Sequence, residues 1–198
     1  MDLSPEPEPE PGAFALTDQR SFDAPLTIGV LSDTHIYAHG QRTMPPEIPD
    51  LFRRFAVGLI LHGGDVSTGQ VLAELQAIAP VLAVQGNNDP SLRSMLPLML
   101  RFSVGRFRFH MVHGHHLGKT ARSTALQLAG AVDCVVYGHS HIPKFEEESG
   151  TILFNPGSAT DRRWQEHFGV GLIHVSADGI KPELVLFKDP RHLVNVKP

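Results

Sequence analysis

The sequence predicts a mixed α/β layer structure in which βαβ units come first and a strand-rich half follows. Short, nearly continuous apolar runs end in glycine and polar clusters, a pattern typical of strands buried on both faces. In the first half, segments with apolar residues at helical spacing separate these runs. In the second half, most of the apolar runs are separated only by turns. We therefore expect helices and strands to pack as layers around one core.

The first half alternates predicted strands with two predicted helices. One helix is expected over 48–56, where Leu51 and Phe55 lie on the same face. The other is expected over 68–79, and Pro80 ends it because proline cannot continue a helix. The strands are expected at 26–31, 59–61 and 81–84.

The second half predicts a hairpin, one helix and a series of short strands. Two apolar runs over 98–104 and 107–112 form the hairpin, whose edge is a candidate surface for a homo-oligomer. A helix is expected over 119–131, with Ala125 and Leu128 facing inward. The remaining strands are expected at 134–137, 144–145, 151–154, 169–175 and 183–187.

The charge of the chain is concentrated near its start. The 198 residues carry a formal net charge of −4, but residues 1–25 hold six acidic residues against Arg20 alone, a net charge of −5. The other 173 residues carry 16 basic and 15 acidic residues, a net charge of +1. Prolines alternate with glutamates over residues 5–11, which favours an extended, solvated chain. We interpret residues 1–25 as a disordered Pro/Glu-rich leader and residues 26–198 as a single domain.

Composition excludes several classes of protein. A single cysteine cannot form an internal disulfide framework, and the nearly neutral body argues against a broad nucleic-acid surface. The sequence lacks an apolar run of about 18 residues, so no membrane span is expected. The start lacks the basic and apolar regions of a secretory signal, which favours a cytoplasmic location. Twelve histidines are many for a residue used mostly for chemistry.

Carboxylate, amide and imidazole side chains follow five of the predicted strands. Each cluster alone has a structural explanation, for example a turn, but the carboxyl ends of strands in α/β sheets converge on one crevice. These ligand types suit Mn, Fe, Zn, Co or Ni, and seven of them exceed the needs of one tetrahedral metal. We therefore expect two metals that share a carboxylate and a water molecule. The residues are Asp33, His35, Asp65, Asn87, His113, His139 and His141.

Two pairs of these residues are separated by one residue, and this spacing predicts the direction of the side chains in the first pair. Asp33 and His35 are alternate residues at a strand end, so both side chains are expected to point the same way and reach one ion. His139 and His141 have the same spacing at the end of another predicted strand.

Six short motifs resemble those of the calcineurin-like metallophosphoesterases, over residues 28–158. They are Asp33-Thr-His35, Gly64-Asp65, Gly86-Asn87-Asn88-Asp89, His113-Gly114, Gly138-His-Ser-His141 and Asn155-Pro-Gly-Ser158. With no inserted cap domain, the chain is most similar to the small bacterial and archaeal phosphodiesterase branch. The resemblance implies a four-layer αββα sandwich of two mixed β-sheets flanked by helices.

The resemblance also implies a metal centre and a reaction. Two divalent ions are expected, with manganese favoured over iron, zinc, nickel or cobalt. A hydroxide that bridges them would attack the phosphorus of a small-molecule phosphate ester, with diesters favoured as substrates. The alternative is a non-catalytic metal-binding or protein-interaction scaffold on the same fold. The implied ligands are Asp33, His35 and His141 for the first ion, Asn87, His113 and His139 for the second, and Asp65 for both, so that the chain must bend between His139 and His141.

The sequence departs from many relatives at Asn88, where they place a histidine. Asparagine cannot deliver a proton at neutral pH, so another donor is needed or the leaving group needs little help. His115 and His39 are the candidate donors, and for each the alternative interpretation is an exposed loop histidine or a group that orients a ligand. The candidate catalytic residues are Asp65, Asn87 and His115. Asn88, Arg162 and Arg163 are the candidate substrate contacts, because a guanidinium can bind phosphate through two hydrogen bonds.

Overall fold

The computed structural model describes residues 19–198, which form two β-sheets and three α-helices. The strands are β1 (Gln19–Phe22), β2 (Leu26–Leu31), β3 (Leu59–His62), β4 (Val81–Ala83), β5 (Met99–Val104), β6 (Phe107–Val112), β7 (Cys134–Tyr137), β8 (Lys144–Glu148), β9 (Thr151–Asn155), β10 (Phe168–Ser176) and β11 (Gly179–Phe187). The helices are α1 (Glu47–Arg54), α2 (Gly69–Gln76) and α3 (Ala121–Leu128), and short 3-10 segments cover Pro90–Leu92 and Pro190–Asn195.

Each sheet contains three adjacent parallel strands. The five-stranded sheet has the order β11-β10-β2-β3-β4, in which β2, β3 and β4 are parallel and β10 is antiparallel to its neighbours. The six-stranded sheet has the order β1-β5-β6-β7-β9-β8, in which β6, β7 and β9 are parallel. The carboxyl ends of these parallel strands carry the loops that form the candidate site.

The two sheets pack face to face, and helices cover their outer faces. Alternate residues of a strand point to opposite faces, so Val30 of β2 packs against the other sheet while Leu31 packs among the α1 and α2 side chains. In the same way, Met111 of β6 faces the inter-sheet core and Val112 faces α3. The order is therefore α1 and α2, five strands, six strands, and α3. This confirms the predicted four-layer αββα sandwich.

The helices begin close to where the sequence predicts them. The Thr68 hydroxyl accepts a hydrogen bond from the Gln70 amide at the start of α2, and Thr120 and Ser123 form a reciprocal capping box at the start of α3. Both helices end earlier than predicted, α2 at Gln76 and α3 at Leu128. Within residues 19–198, no helix is long and apolar enough to cross a membrane.

Two expectations are wrong, one about the end of the leader and one about the hairpin edge. Residues 1–18 of the predicted leader lie outside the described residues, but Gln19–Phe22 form β1, which pairs in parallel with β5. The Phe22 ring packs edge-on against Phe102 at 6.2 Å, so this part of the predicted leader belongs to the sheet. The β5–β6 hairpin also offers no edge for self-association, because β5 lies between β1 and β6, and β6 lies between β5 and β7.

Candidate metal centre

Loops at the carboxyl ends of β2, β3, β4, β6 and β7 bring the predicted ligands together. Five of the seven side chains are buried, His139 is half-buried, and Asn87 is exposed at the mouth of the site. Two groups of side chains have ligand atoms within 4.8 Å of one another, and each group could hold a metal ion. The groups are Asp33, His35 and His141, and Asp65, His113 and His139.

Distances within the groups match those between neighbouring ligands of one ion. The Nε2 atoms of His35 and His141 are 3.2 Å apart, and the His141 Nε2 lies 3.4 Å from Asp33 Oδ1. In the second group, the His113 Nε2 lies 3.4 Å from Asp65 Oδ2, and it lies 3.2 Å from the Oδ1 of Asn87 beside the group. Metal–ligand bonds of about 2.1 Å place neighbouring ligand atoms about 3.0–3.4 Å apart in octahedral or tetrahedral geometry. The donor set therefore fits divalent metal ions.

Asp65 belongs to the second group and also lies next to the first. Its Oδ2 atom is 3.5 Å from the Nε2 of His35 and 3.4 Å from the Nε2 of His113. One carboxylate oxygen is thus next to a nitrogen of each group. This is the position that a shared ligand requires, and it agrees with the bridging role that the resemblance implies.

Backbone carbonyls fix the orientation of two of the imidazoles. The Nδ1 of His113 lies 2.7 Å from the Gly63 carbonyl oxygen, and the Nδ1 of His141 contacts the Asp161 carbonyl oxygen. Each ring then donates its Nδ1–H to the backbone, which leaves the Nε2 lone pair directed into the site. This arrangement is usual for histidines that bind metals.

Five of the predicted ligands have left-handed backbone conformations. A non-glycine residue in this region costs about 1 kcal/mol or more, so five in one site indicate a functional constraint. The predicted reason for the Asp33 and His35 pairing is wrong, because these residues follow β2 and are not an extended strand. Hydrogen bonds from Asp33 N to Gly64 O and from His35 N to Asp65 O hold this bent segment instead. The φ angles are 54° for Asp33, 46° for His35, 55° for Asp65, 68° for His139 and 56° for His141.

The two buried carboxylates differ in their hydrogen bonds. Burial raises the pKa of Asp33 to about 6, although the nearby His113 and the Ser32 hydroxyl, which donates at 2.6 Å, oppose this shift. Burial would also raise the pKa of Asp65, but the neighbouring His113 and two hydrogen bonds from Asn88 hold this pKa well below its usual value. Asp33 must therefore lose its proton to bind an ion in mildly acidic solution, whereas Asp65 is already ionised.

Asn88 and Asp89 hold the site together in ways that sequence reasoning missed. Asn88 donates from its backbone and side-chain nitrogens to the two oxygens of Asp65, each at 2.8 Å, so its amide is engaged with Asp65 rather than free for substrate. The buried Asp89 carboxylate accepts from the backbone N–H groups of Asp65, Ser67 and Gly86 at 2.6–2.9 Å. Asp89 thereby joins the loops after β3 and β4. In the sequence, the only indication of these roles is that both residues belong to the motif Gly86-Asn87-Asn88-Asp89.

The other predicted site residues are His115, Arg162 and Arg163, and they differ in how closely they are associated with the metal ligands. The His115 ring is 5.2 Å from the His113 ring, and burial and neighbouring histidines lower the pKa of His115 to about 3. Arg162 donates to the carbonyl oxygen of Gln165 and lies over the Phe168 ring, so it is engaged within its own loop.

Arg163 is exposed and close enough for its charge to add to the effect of burial in lowering the pKa of three histidines. These are His35, His139 and His141.

Comparisons with known proteins match most of the chain. A family model described as the calcineurin-like phosphoesterase superfamily domain matches residues 26–178. A probable metallophosphoesterase from Methanothermobacter thermautotrophicus is 34% identical over 162 residues, which cover 81% of this chain and 92% of that protein. A phosphodiesterase from Methanocaldococcus jannaschii is 27% identical over 148 residues, 67% of this chain and 83% of that protein. The solved structure of Vps29 from Entamoeba histolytica complexed with zinc is 22% identical with a TM-score of 0.66, covering 82% of this chain and all of that one, and shows a similar fold.

Proposed function

This chain belongs to the calcineurin-like phosphoesterase superfamily, and on that basis we propose that it is a phosphodiesterase that depends on two divalent metal ions. The observation that carries the proposal is the position of the Asp65 carboxylate, with one oxygen within 3.5 Å of a nitrogen of both ligand groups. The printed activity of the Methanocaldococcus jannaschii relative supports phosphodiesters as the substrate class.

In this proposal the chain would hold the ions with carboxylate, amide and imidazole side chains. Asp65 would hold both ions, and Asn87 would add a neutral amide oxygen that limits the negative charge of the centre. The hydrogen bonds from Asn88 keep the Asp65 carboxylate ionised and fixed in place. When bound, the two ions supply a hydroxide nucleophile near neutral pH and neutralise the charge of the phosphoryl oxygens. The other ligands are Asp33, His35 and His141 for one ion, and His113 and His139 for the other.

The described residues disfavour proton donation to the leaving group. Asn88 carries an amide, which is not an acid at neutral pH. Burial and neighbouring histidines lower the pKa of His115 to about 3, and the positive charge of two bound divalent ions would lower the pKa of this adjacent imidazole further. We therefore propose that the preferred esters have leaving groups that are stable as anions, and we do not assign the donor role to His115.

Other properties stay predictions. The preference for manganese, a cytoplasmic location and the absence of a broad nucleic-acid surface rest on the sequence alone. A homo-oligomeric state also stays a prediction, but without the hairpin edge that the sequence suggested for it, because both strands of the hairpin are paired on each side. Discrimination among small phosphate esters is proposed for the loops around residues 36–46, 90–97 and 159–168, which surround an open cleft.

The proposal is tested by metal loading and turnover together. We expect purified protein with manganese, zinc or nickel to bind about two ions per chain and to hydrolyse bis(p-nitrophenyl) phosphate. Metal content by mass spectrometry and release of nitrophenolate measure the two properties. Two bound ions without turnover would favour the scaffold hypothesis, and fewer than about one ion per chain would contradict the dinuclear centre.

Two adjacent arginines provide a matched pair for the substrate contact. We expect Arg163→Gln to lower kcat/KM about tenfold, mainly through KM, because its charge lies near the centre and can bind a phosphoryl oxygen. Arg162→Gln removes the same charge one residue away, but that side chain is engaged with Gln165 and Phe168 and is expected to change kcat/KM less than twofold. Steady-state kinetics of both variants measure this, and equal effects would contradict the assignment.

A further inference from the structure

A second cavity lies on the β5–β6 hairpin, apart from the metal centre. It has a volume of about 500 Å³ and includes residues of β1, β5, β6 and the turn before β7. None of the seven predicted metal ligands lines it. The side chains that matter for its chemistry are Arg20, Arg101, Ser103, Arg108 and His110.

Strand register places the basic side chains on one face. Arg101 pairs with His110, and Ser103 pairs with Arg108, so these four side chains point to the same side of the hairpin. The alternate residues of the hairpin pack in the inter-sheet core, as Phe109 does. The basic side chains therefore occupy the outer face of the six-stranded sheet.

Two residues that line this cavity each have a buried nitrogen atom without a hydrogen-bond partner among residues 19–198. His110 is 6% exposed, and its Nδ1 atom is buried and unpaired. The Nε of Arg101 is also buried and unpaired, and no carboxylate among the described residues forms an ion pair with Arg101. Buried polar atoms usually have a partner, so an unpaired guanidinium nitrogen and an unpaired imidazole nitrogen in one cavity point to a ligand that accepts hydrogen bonds.

Among the described residues, a carboxylate lies near Arg108 of this cavity but none forms an ion pair with Arg101. Asp133 lies 3.7 Å from the Nε of Arg108 and accepts a hydrogen bond from the Arg108 backbone N–H at 2.7 Å, so its carboxylate is already engaged. Burial lowers the pKa of His110 to about 4, and the charges of Arg101 and Arg108 add to this effect. His110 is therefore a neutral imidazole at neutral pH, beside the Arg101 guanidinium, which has no counterion within residues 19–198.

We propose that this cavity binds a small phosphate-bearing molecule, with the Arg101 guanidinium contacting the phosphate and the His110 ring nitrogen donating a hydrogen bond. A planar guanidinium matches the geometry of phosphate oxygens through two parallel N–H groups. A volume of about 500 Å³ falls in the range of small-molecule sites, so the cavity can hold an organic group attached to the phosphate. The site is distinct from the metal centre and does not depend on the proposed hydrolysis.

The test uses the full chain labelled with ¹³C and ¹⁵N at histidine, with inorganic phosphate and AMP as probes. We expect the His110 ring signal, identified by its absence in His110→Gln, to shift and saturate as either probe is added at constant ionic strength. Sodium chloride at the same ionic strength is expected to leave the signal in place. Signals from His113 and His139 report separately on the metal centre, so failure of one site is distinguishable from failure of the other.

Arginine variants test the assignment of the contact. Arg101→Gln is expected to raise the Kd measured at His110 at least about tenfold, and Arg101→Lys, which keeps the charge but lacks the fork, to give an intermediate Kd. Arg106→Gln removes the same charge from an exposed residue of the hairpin turn, outside the cavity, and is expected to change the Kd less than twofold. A His110 signal that ignores phosphate, an equal response to chloride, or equal Kd values for Arg101→Gln and Arg106→Gln would each overturn the proposal.

Discussion

Replacement of Asp65 by alanine is expected to lower kcat/KM for bis(p-nitrophenyl) phosphate by at least about 10³-fold. The reason is that one oxygen of Asp65 lies within 3.5 Å of ligand nitrogens of both groups, so the substitution removes a contact to both proposed ions. The same change removes the acceptor of two hydrogen bonds from Asn88. Turnover and metal content are measured on the same preparation, and both are expected to fall.

A matched control separates loss of the site from a general effect of removing an aspartate. Asp178 is exposed in the turn before β11, so Asp178→Ala removes the same side chain far from the ligand groups and is expected to leave kcat/KM and metal content unchanged. Thermal unfolding of both variants establishes that they are folded. Activity that survives in folded Asp65→Ala would show that this carboxylate does not join the two ions.

The convergence of the ligand set could be predicted from the sequence because it follows from topology. Asp33, Asp65 and Asn87 each come after an apolar run, and the structure shows these runs as the parallel neighbours β2, β3 and β4. Parallel neighbours must end at the same edge of the sheet, so polar residues that follow them are brought together whatever the detailed loop conformation. Apolar periodicity was sufficient for this part of the site.

The local conformation of the ligands could not be predicted in the same way. Apolar periodicity describes Leu26–Leu31 but contains no information on the φ angles of Asp33 and His35 just beyond it, which are 54° and 46°. Those angles depend on hydrogen bonds to the loop after β3, about 30 residues away. The strand Gln19–Phe22 could not be predicted for a similar reason. It has no apolar run of its own, and it forms a strand because it pairs with β5.

The role of Asp89 shows the same limit. In the sequence, Asp89 precedes Pro90 and is typical of a residue that forms a local turn. In the structure its carboxylate accepts hydrogen bonds from Asp65 and Ser67, 24 and 22 residues away. A local pattern cannot reveal such partners. The glycines of the motifs are a further example, because the need for glycine depends on atoms from distant parts of the chain that lie close to its Cα.

Gly138→Ala is expected to remove the first ion and to lower kcat/KM by at least about 10²-fold. A Cβ atom at this position would lie 2.0 Å from the Ser32 Oγ, 2.8 Å from the Asp33 Oδ2 and 3.0 Å from the Gly63 carbonyl oxygen. Because Ser32 donates a hydrogen bond to Asp33, the added methyl group must displace both side chains. The overpacked site is also expected to cost about 1–3 kcal/mol of unfolding free energy. Metal content, turnover and chemical denaturation measure the three effects.

Two further variants decide whether steric contact is the cause. Gly69→Ala introduces the same methyl group at the start of α2, where the nearest atom to the new Cβ is a side-chain carbon of Leu92 at 3.8 Å, and is expected to leave metal content and stability nearly unchanged. The double variant Ser32→Ala with Gly138→Ala removes the hydroxyl that lies 2.0 Å from the new Cβ. It is therefore expected to bind more metal and to be more stable than Gly138→Ala alone, although Ser32→Ala by itself removes a hydrogen bond to Asp33. If the double variant is no better than Gly138→Ala, contact with Ser32 is not the reason that this position must be glycine.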